Sequence, residues 1–168
     1  MNTLPVLHTD RCILSAITNE EIPALRQIID DQETQRFLPE LCEIVKTGAG
    51  LQQFLALFDV YLNDGTGYLW GIRKDCDELI GFIAIMDIPV APILFFAAHP
   101  SYRQCGYMKE ALKEVMQNID SERWFLSLQT EVYKDNVASL SLLHEIGFTI
   151  ARRDKDKIYL VNKNYINQ

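Results

Sequence analysis

The chain has 168 residues, with 16 lysines and arginines against 23 aspartates and glutamates, a formal charge of −7. Hydrophobic residues make up 48% and charged residues 23%, a balance that excludes a disordered chain and gives one core over a single domain, residues 1–168. The acidic surplus argues against a nucleic-acid binder, and it means that an anionic ligand has to be held by local charges and main-chain donors against the overall field.

Arg11 to Ala16 reads as a first strand. Thr18 and Glu21 form a capping-box pair, with Pro23 in the first helical turn, ahead of the stripe Ile22, Leu25, Ile28 and Ile29. Asp31 to Gly50 reads as a short helix and a loop. Leu51, Phe54, Leu55, Phe58 and Leu62 repeat the helical spacing, and Asn63 to Gly67 stop it. Tyr68–Lys74 and Leu79–Ile88, around a turn at Asp75–Glu78, predict an antiparallel hairpin. Ile93–His99 is an apolar run of the kind buried on both faces.

After the tight loop Pro100–Gly106 comes an amphipathic helix whose inward face is Met108, Ala111, Leu112, Val115, Met116 and Ile119. Trp124–Val132 alternates as a half-buried strand. Asn136 is placed to cap a helix carrying Ala138, Leu142, Leu143 and Ile146, which ends at Gly147. Thr149–Arg153 and Ile158–Val161 close the chain as a hairpin. The order β-α-α-β-β-β-α-β-α-β-β describes an α/β (α+β) fold with a mixed, mostly antiparallel sheet flanked by helices.

No apolar run reaches the ~20 residues that cross a bilayer, and the opening MNTLPVLHTDR has no basic cluster followed by an apolar stretch. Cys12, Cys42, Cys76 and Cys105 are scattered without a C-x-x-C, which fits reduced thiols in a cytoplasmic protein and no metal site.

The sharpest local feature is the strand–loop–helix unit containing PSYRQCGYMKEAL. A Gly-containing loop feeding a helix exposes unpaired N–H groups at the positive end of the helix dipole, a setting that favours phosphate. Arg103, and less directly Lys109, are candidates for the positive charge. The plainer alternative is that Gly106 shapes a connection and Arg103 is solvated. Neither G-x-G-x-x-G nor G-x-x-x-x-G-K-[ST] is present.

YRQCGYMKEAL resembles the acyl-CoA pyrophosphate loop of the Gcn5-related N-acetyltransferase (GNAT) superfamily, [RQ]-x-x-G-x-[GA] between a central strand and a long helix. VYKDNVASLSLLHEIGF is similar to that superfamily's second motif, and TDRCILSAITNEEIPAL to the first strand and helix of its Rim-type branch, which includes ribosomal-protein N-terminal acetyltransferases. The resemblance implies an acyl-CoA N-acyltransferase fold with acetyl-CoA as donor. In it Arg103, Gln104, Cys105, Gly106, Tyr107 and Met108 give main-chain hydrogen bonds to the pyrophosphate. Phe96, Ala97 and Ala98 pair with the pantetheine arm as a strand would, and Asn136 bonds the cofactor near its pantetheine end.

Several residues depart from the pattern. Met108 stands where the family prefers Gly or Ala, and Gln104 and Cys105 replace the common Gly-Lys. Ile93 stands where many relatives carry a strand carboxylate, and Leu143 replaces the tyrosine that often acts as general acid. Ser139 matches a serine given the acid role in the Rim-type branch.

The chemistry needs an amine deprotonated and held about 3–3.5 Å from a thioester, and a hydroxyl for the departing thiolate. Glu131, His99 and Asp87 are the candidate bases, with Ser139 as acid. As structural alternatives, His99 anchors a loop, Ser139 bonds backbone and Asn136 only caps its helix. Glu20, Glu21, Asp30, Asp31 and Glu33 either draw a cationic acceptor or form a solvated face, and Tyr133 and Phe37 are candidates to line an acceptor pocket. The expected partners are acetyl-CoA and an amine acceptor, with a protein or peptide N-terminus favoured by the branch resemblance. The chain is expected as a monomer or homodimer, with no nucleic acid and no membrane. The alternatives are a polyamine, amino acid or antibiotic acceptor, and a catalytically silent CoA-binding module.

Overall fold

The structure, a computed structural model, describes residues 3–74, 77–122 and 124–163. Within the described residues the strands form one eight-stranded sheet in the order β1-β2-β3-β4-β5-β6-β8-β7. The strands are β1 (Leu7–His8), β2 (Ile13–Ser15), β3 (Tyr68–Lys74), β4 (Glu78–Met86), β5 (Ile93–Ala98), β6 (Ser127–Tyr133), β7 (Thr149–Arg153) and β8 (Lys157–Lys163). All neighbours run antiparallel except β5 and β6. This is the mixed, mostly antiparallel architecture that the element order predicts.

One face of the sheet is covered by α1 (Ile22–Ile29), α2 (Gln32–Phe37), α3 (Pro39–Ile44) and α4 (Gly50–Asp64), and the other by α5 (Tyr107–Glu122) and α6 (Val137–Glu145). The strand period of two divides the core accordingly. Leu69, Phe82, Ala84 and Ala97 pack with Leu25, Ile28, Phe54 and Phe58, whereas Trp70, Ile83, Ile85 and Leu94 pack with Leu112, Val115, Ile119 and Leu143. No helix among the described residues is long and apolar enough to cross a membrane.

Three local readings are corrected. The first strand is the second arm of a small hairpin, because Leu7 and His8 pair with Leu14 and Ile13, and two residues are too few to show a period. Residues 31–50 hold two helices, with Asp31 capping α2 and Pro39 in the first turn of α3. The strand expected from Trp124 begins at Ser127. Trp124 instead turns inward, 4.7 Å from the Tyr68 ring and stacked on Trp70, and Leu126 is left 74% exposed. Of the turn expected at Asp75–Glu78, Asp75 and Cys76 lie outside the described residues. The glycine stop of α4 is as expected, since Gly65 takes φ 70 as the C-cap.

Candidate functional site

The parallel pair β5–β6 touches only at its beginning. Ile93 lies opposite Gln129, Gln129 N–H donates to the Pro92 carbonyl at 2.8 Å, and the Thr130 hydroxyl donates to the Leu94 carbonyl at 2.9 Å. Beyond that point the strands diverge. On β5, His99 N–H donates to Ile80 of β4, so by alternation Ala97 also turns its main-chain groups to β4, while Phe96 and Ala98 turn theirs into the split. On β6, Gln129 N–H turns to Pro92 and Lys134 N–H to Asp156 beside β8, so by alternation Leu128, Thr130 and Val132 turn their main-chain groups to β8, and those of Glu131 and the Tyr133 N–H face β5. The Tyr133 carbonyl accepts from Asn136 N–H. The run expected to be buried on both faces is therefore half-exposed at Phe95 and Phe96, because it borders an opening.

That opening is a cleft of about 290 Å³. Its walls are Phe96–Ala98 of β5, Thr130–Val132 of β6, the loop to α5, Ala138, Ser139 and Leu142 of α6, and Glu33, Thr34, Phe37 and Leu38 of the α2 segment. The cleft lies at the carboxyl ends of two parallel strands, where open α/β sheets bind ligands.

At its upper end the loop turns through Gln104 (φ 57) and Gly106 (φ 85) before α5 begins. The main-chain N–H groups of Gln104, Cys105, Gly106, Tyr107 and Met108 meet no acceptor among the described residues, whereas that of Arg103, expected among them, donates to the Pro100 carbonyl at 3.4 Å. Five amides around two left-handed residues at the start of a 16-residue helix make a concave anion site. An added Cβ at Gly106 would sit 3.1 Å from Arg11 Nη2. Met108 is half-buried, packed against the larger core and lining the cleft at the helix start.

The cations expected to serve this site are committed elsewhere. Arg103 bonds Asp31 at 2.6 Å, Glu33 at 2.8 Å and the Thr34 hydroxyl at 3.0 Å, and Lys109 pairs with Glu145. Burial pushes the Asp31 carboxyl up, but Arg103 and the amides of Thr34 and Glu33 outweigh it and hold it below its ordinary value. Sequence reasoning missed Arg11. Its Nε bonds Glu110 at 2.8 Å, its Nη1 bonds the Cys105 carbonyl at 3.0 Å, and its guanidinium lies 4.3 Å from the Tyr107 ring centre. No local motif announces a clamp made across more than ninety residues of chain.

Asn136 caps α6, its Oδ1 accepting from Ser139 N–H at 3.2 Å, and it also lines the cleft. Ser139 lines the same wall, half-buried, and its hydroxyl has no partner among the described residues. Leu143 is fully buried in the core, and of the two α6 hydroxyls, Ser139 and Ser141, Ser139 is the one on the cleft wall. Glu131 reaches the cleft and is bonded by Lys157 at 2.9 Å. His99 lies outside the lining: its Nδ1 accepts from Ser101 N–H and its Nε2 meets Gln27 Oε1, both at 3.2 Å, which makes the ring part of the loop's scaffold. The acidic early helices are largely spent, Asp31 and Glu33 on Arg103 and Glu21 on Arg73. Phe37 and Tyr133 stand 6.4 Å apart, with Phe37 on the cleft wall.

These features fit an elongated ligand with an anionic end and peptide-like amides along its length. The open amides suit an anion, and the free edge of β5 suits a run of amides. No group of three or more metal-ligating side chains stands together among the described residues.

Comparison with known proteins agrees with this geometry. The family model described as "Acetyltransferase (GNAT) domain" matches residues 11–149. A Bacillus subtilis (strain 168) protein named "Uncharacterized N-acetyltransferase YoaA" is 29% identical over 150 residues, 86% of this chain and 82% of that one. Among solved structures, RimL, the ribosomal L7/L12 alpha-N-protein acetyltransferase in complex with coenzyme A, superposes with a TM-score of 0.82. It is 16% identical, over 95% of this chain and 98% of that one. Mycobacterium smegmatis RimJ in complex with a CoA disulfide superposes with a TM-score of 0.79 at 14% identity, over 99% of this chain and 90% of that one.

Proposed function

The chain belongs to the GNAT acetyltransferase family, and on that premise we propose that it acetylates the α-amine of a protein or peptide N-terminus. Transfer of acetyl from acetyl-CoA to an amine is the family's chemistry. The choice of acceptor rests on one observation: by alternation along β6, the main-chain groups of Glu131 and the Tyr133 N–H face β5 and meet no partner there among the described residues. Two free strand edges suit two extended, amide-bearing partners that meet end to end, and β-strand addition is a common way to hold a peptide. The Rim-type names among the structural neighbours are in keeping with that acceptor.

Acetyl-CoA supplies the acyl group as an activated thioester. The amides of residues 104–108 hold its diphosphate, and the main chain at Phe96 and Ala98 pairs with the amide-bearing arm. Asn136 fixes the start of α6, so that Ser139 presents its hydroxyl to the cleft as proton donor. Glu131, hydrogen-bonded by Lys157, takes the proton that leaves the acceptor ammonium, directly or through water. Phe37 and Leu38 keep the wall apolar, which excludes water from the reacting amine.

The test is acetyl-CoA turnover with a set of short peptides bearing free or blocked N-termini, read by mass spectrometry. Acetylation confined to free α-amines is the expected result. Turnover only with small amines would overturn the acceptor, and no turnover with any amine would leave a silent CoA-binding module.

A further inference from the structure

On the rim of the cleft, the protein holds one of its own ammonium groups in a site built for an ammonium. Lys157 Nζ lies 2.9 Å from Glu131 Oε1 and 3.1 Å from Glu40 Oε1, and 5.0 Å from the Tyr133 ring centre. Two carboxylates and an aromatic face are the usual means of recognising a primary ammonium. The lysine side chain is 21% exposed, while Glu131 and Glu40 are 44% and 65% exposed. The cation is thus the inner member and both carboxylates remain reachable from solvent. Burial opposes the charge, but the two carboxylates outweigh it and raise the Lys157 pKa, so the ammonium persists at any working pH.

The three residues come from three places: Glu131 from the cleft wall in β6, Lys157 from β8, and Glu40 from the first turn of α3. Without the lysine, two carboxylates would stand together beside the reacting end of the cleft and draw acceptors that carry a second positive charge.

We propose that Lys157 is a specificity-determining residue on the acceptor side, its ammonium filling the place that the distal ammonium of a di- or polyamine would otherwise take. Selectivity here comes from occupation and repulsion and not from a new attractive contact. The inference deepens the proposed acceptor reading, but it is tested by binding and so stands or falls separately.

The experiment is calorimetric titration of the full-length protein with spermidine as a probe polycation, comparing wild type with Lys157→Gln at low and high salt. The variant is expected to bind spermidine at least about tenfold more tightly than wild type, with the gain lost at high salt and lost again in Lys157→Gln/Glu131→Gln. Lys157→Arg is expected to keep the wild-type weakness. Lys157→Met retains the aliphatic stem over Tyr133 and carries the same test should the glutamine variant melt early. Equal spermidine affinity in wild type and in the folded Gln or Met variant would overturn the proposal. So would a gain that survives removal of Glu131. If the wild type acetylates small amines and not peptides, the acceptor reading fails while this binding comparison is unaffected.

Discussion

Gly106 offers the cleanest test of the anion site, because alanine and aspartate there both meet a left-handed backbone, which aspartate tolerates somewhat better, and differ chiefly by one charge. At φ 85 any side chain pays the left-handed penalty of about 1–2 kcal/mol, and the new Cβ must displace Arg11 Nη2, 3.1 Å away. A chain of this size loses about 2–4 °C of Tm per kcal/mol, so each variant should melt roughly 2–8 °C below wild type and still fold. If the loop relieves the strain by turning one amide out of the cradle, a hydrogen bond to a charged group worth about 1.5–3 kcal/mol is lost, and the Kd for acetyl-CoA rises roughly 10- to 100-fold. Aspartate adds a like charge. At roughly 6–8 Å and an effective dielectric of about 20–40, the repulsion is on the order of 1–3 kcal/mol, a further fivefold or more. Isothermal titration with acetyl-CoA at two ionic strengths separates the terms. The alanine–aspartate gap should shrink as the Debye length falls from about 8 Å at 0.15 M to about 3 Å at 1 M. Wild-type affinity in both folded variants, or an aspartate penalty equal to that of alanine and indifferent to salt, would refute the assignment of these amides to the diphosphate.

Ser139→Ala is expected to lower kcat by about 10²-fold with unchanged acetyl-CoA affinity, since the hydroxyl makes no structural bond among the described residues; an unaltered kcat would remove Ser139 from the chemistry. Arg73→Ala breaks the inner ion pair with Glu21, whose members are 10% and 18% exposed. The expected cost is about 3 kcal/mol, seen as a fall in Tm of roughly 6–12 °C, and a fall under 2 °C would contradict it. Burial pushes the Glu21 carboxyl up, but Arg73 and the Thr18 amide outweigh it and hold it below its ordinary 4.5, as Arg103 holds Asp31 below 3.8. A carboxylate lowered in the folded state adds stability that is fully present above the ordinary value and is lost as pH falls through the folded one. Stability should therefore decline below about pH 4.5, with a shallower slope in Arg73→Ala; parallel slopes would contradict the linkage.

What the sequence made legible was whatever is written within a turn or a strand. The stripe of α5, the glycine stop at Gly65 and the cap at Asn136 each depend on residues fewer than eight apart, and all three appear in the structure. The loop with Gly106 was readable for the same reason. The illegible parts depend on partners far along the chain. Nothing near Arg11 tells that it will grip the loop before α5, and nothing near Trp124 tells that stacking on Trp70 will pull it out of the strand pattern. Residues 31–44 carry only short apolar runs, with Thr34 and Leu41 as the buried members of α2 and α3. Ionic contacts to Arg103, Asp135 and Lys157 hold that segment in place, and periodicity does not report them.

Those ionic contacts also bear on how a chain of net charge −7 would accommodate the proposed diphosphate. The obvious device, a cationic side chain over the phosphates, is declined: Arg103 faces α2, Lys109 faces Glu145, and Arg11 is shared between Glu110 and a carbonyl. Each pairing fixes one border of the cleft, the α2 segment, the α6 end or the loop itself. The cations therefore shape the cradle, and on the proposed reading the five amides without a partner among the described residues and the helix dipole are left to attract the anion. Amides carry partial charges at fixed positions and need no rearrangement on binding, so little is spent on reorganisation when the ligand arrives. The pairings also keep the carboxylates from acting against it. Replacing Arg103 would unmask Asp31 and Glu33 beside the amides, and the loss of acetyl-CoA affinity in Arg103→Ala should be largely recovered in Arg103→Ala/Glu33→Gln. Affinity that stays low in the double variant would mean that Arg103 meets the anion directly.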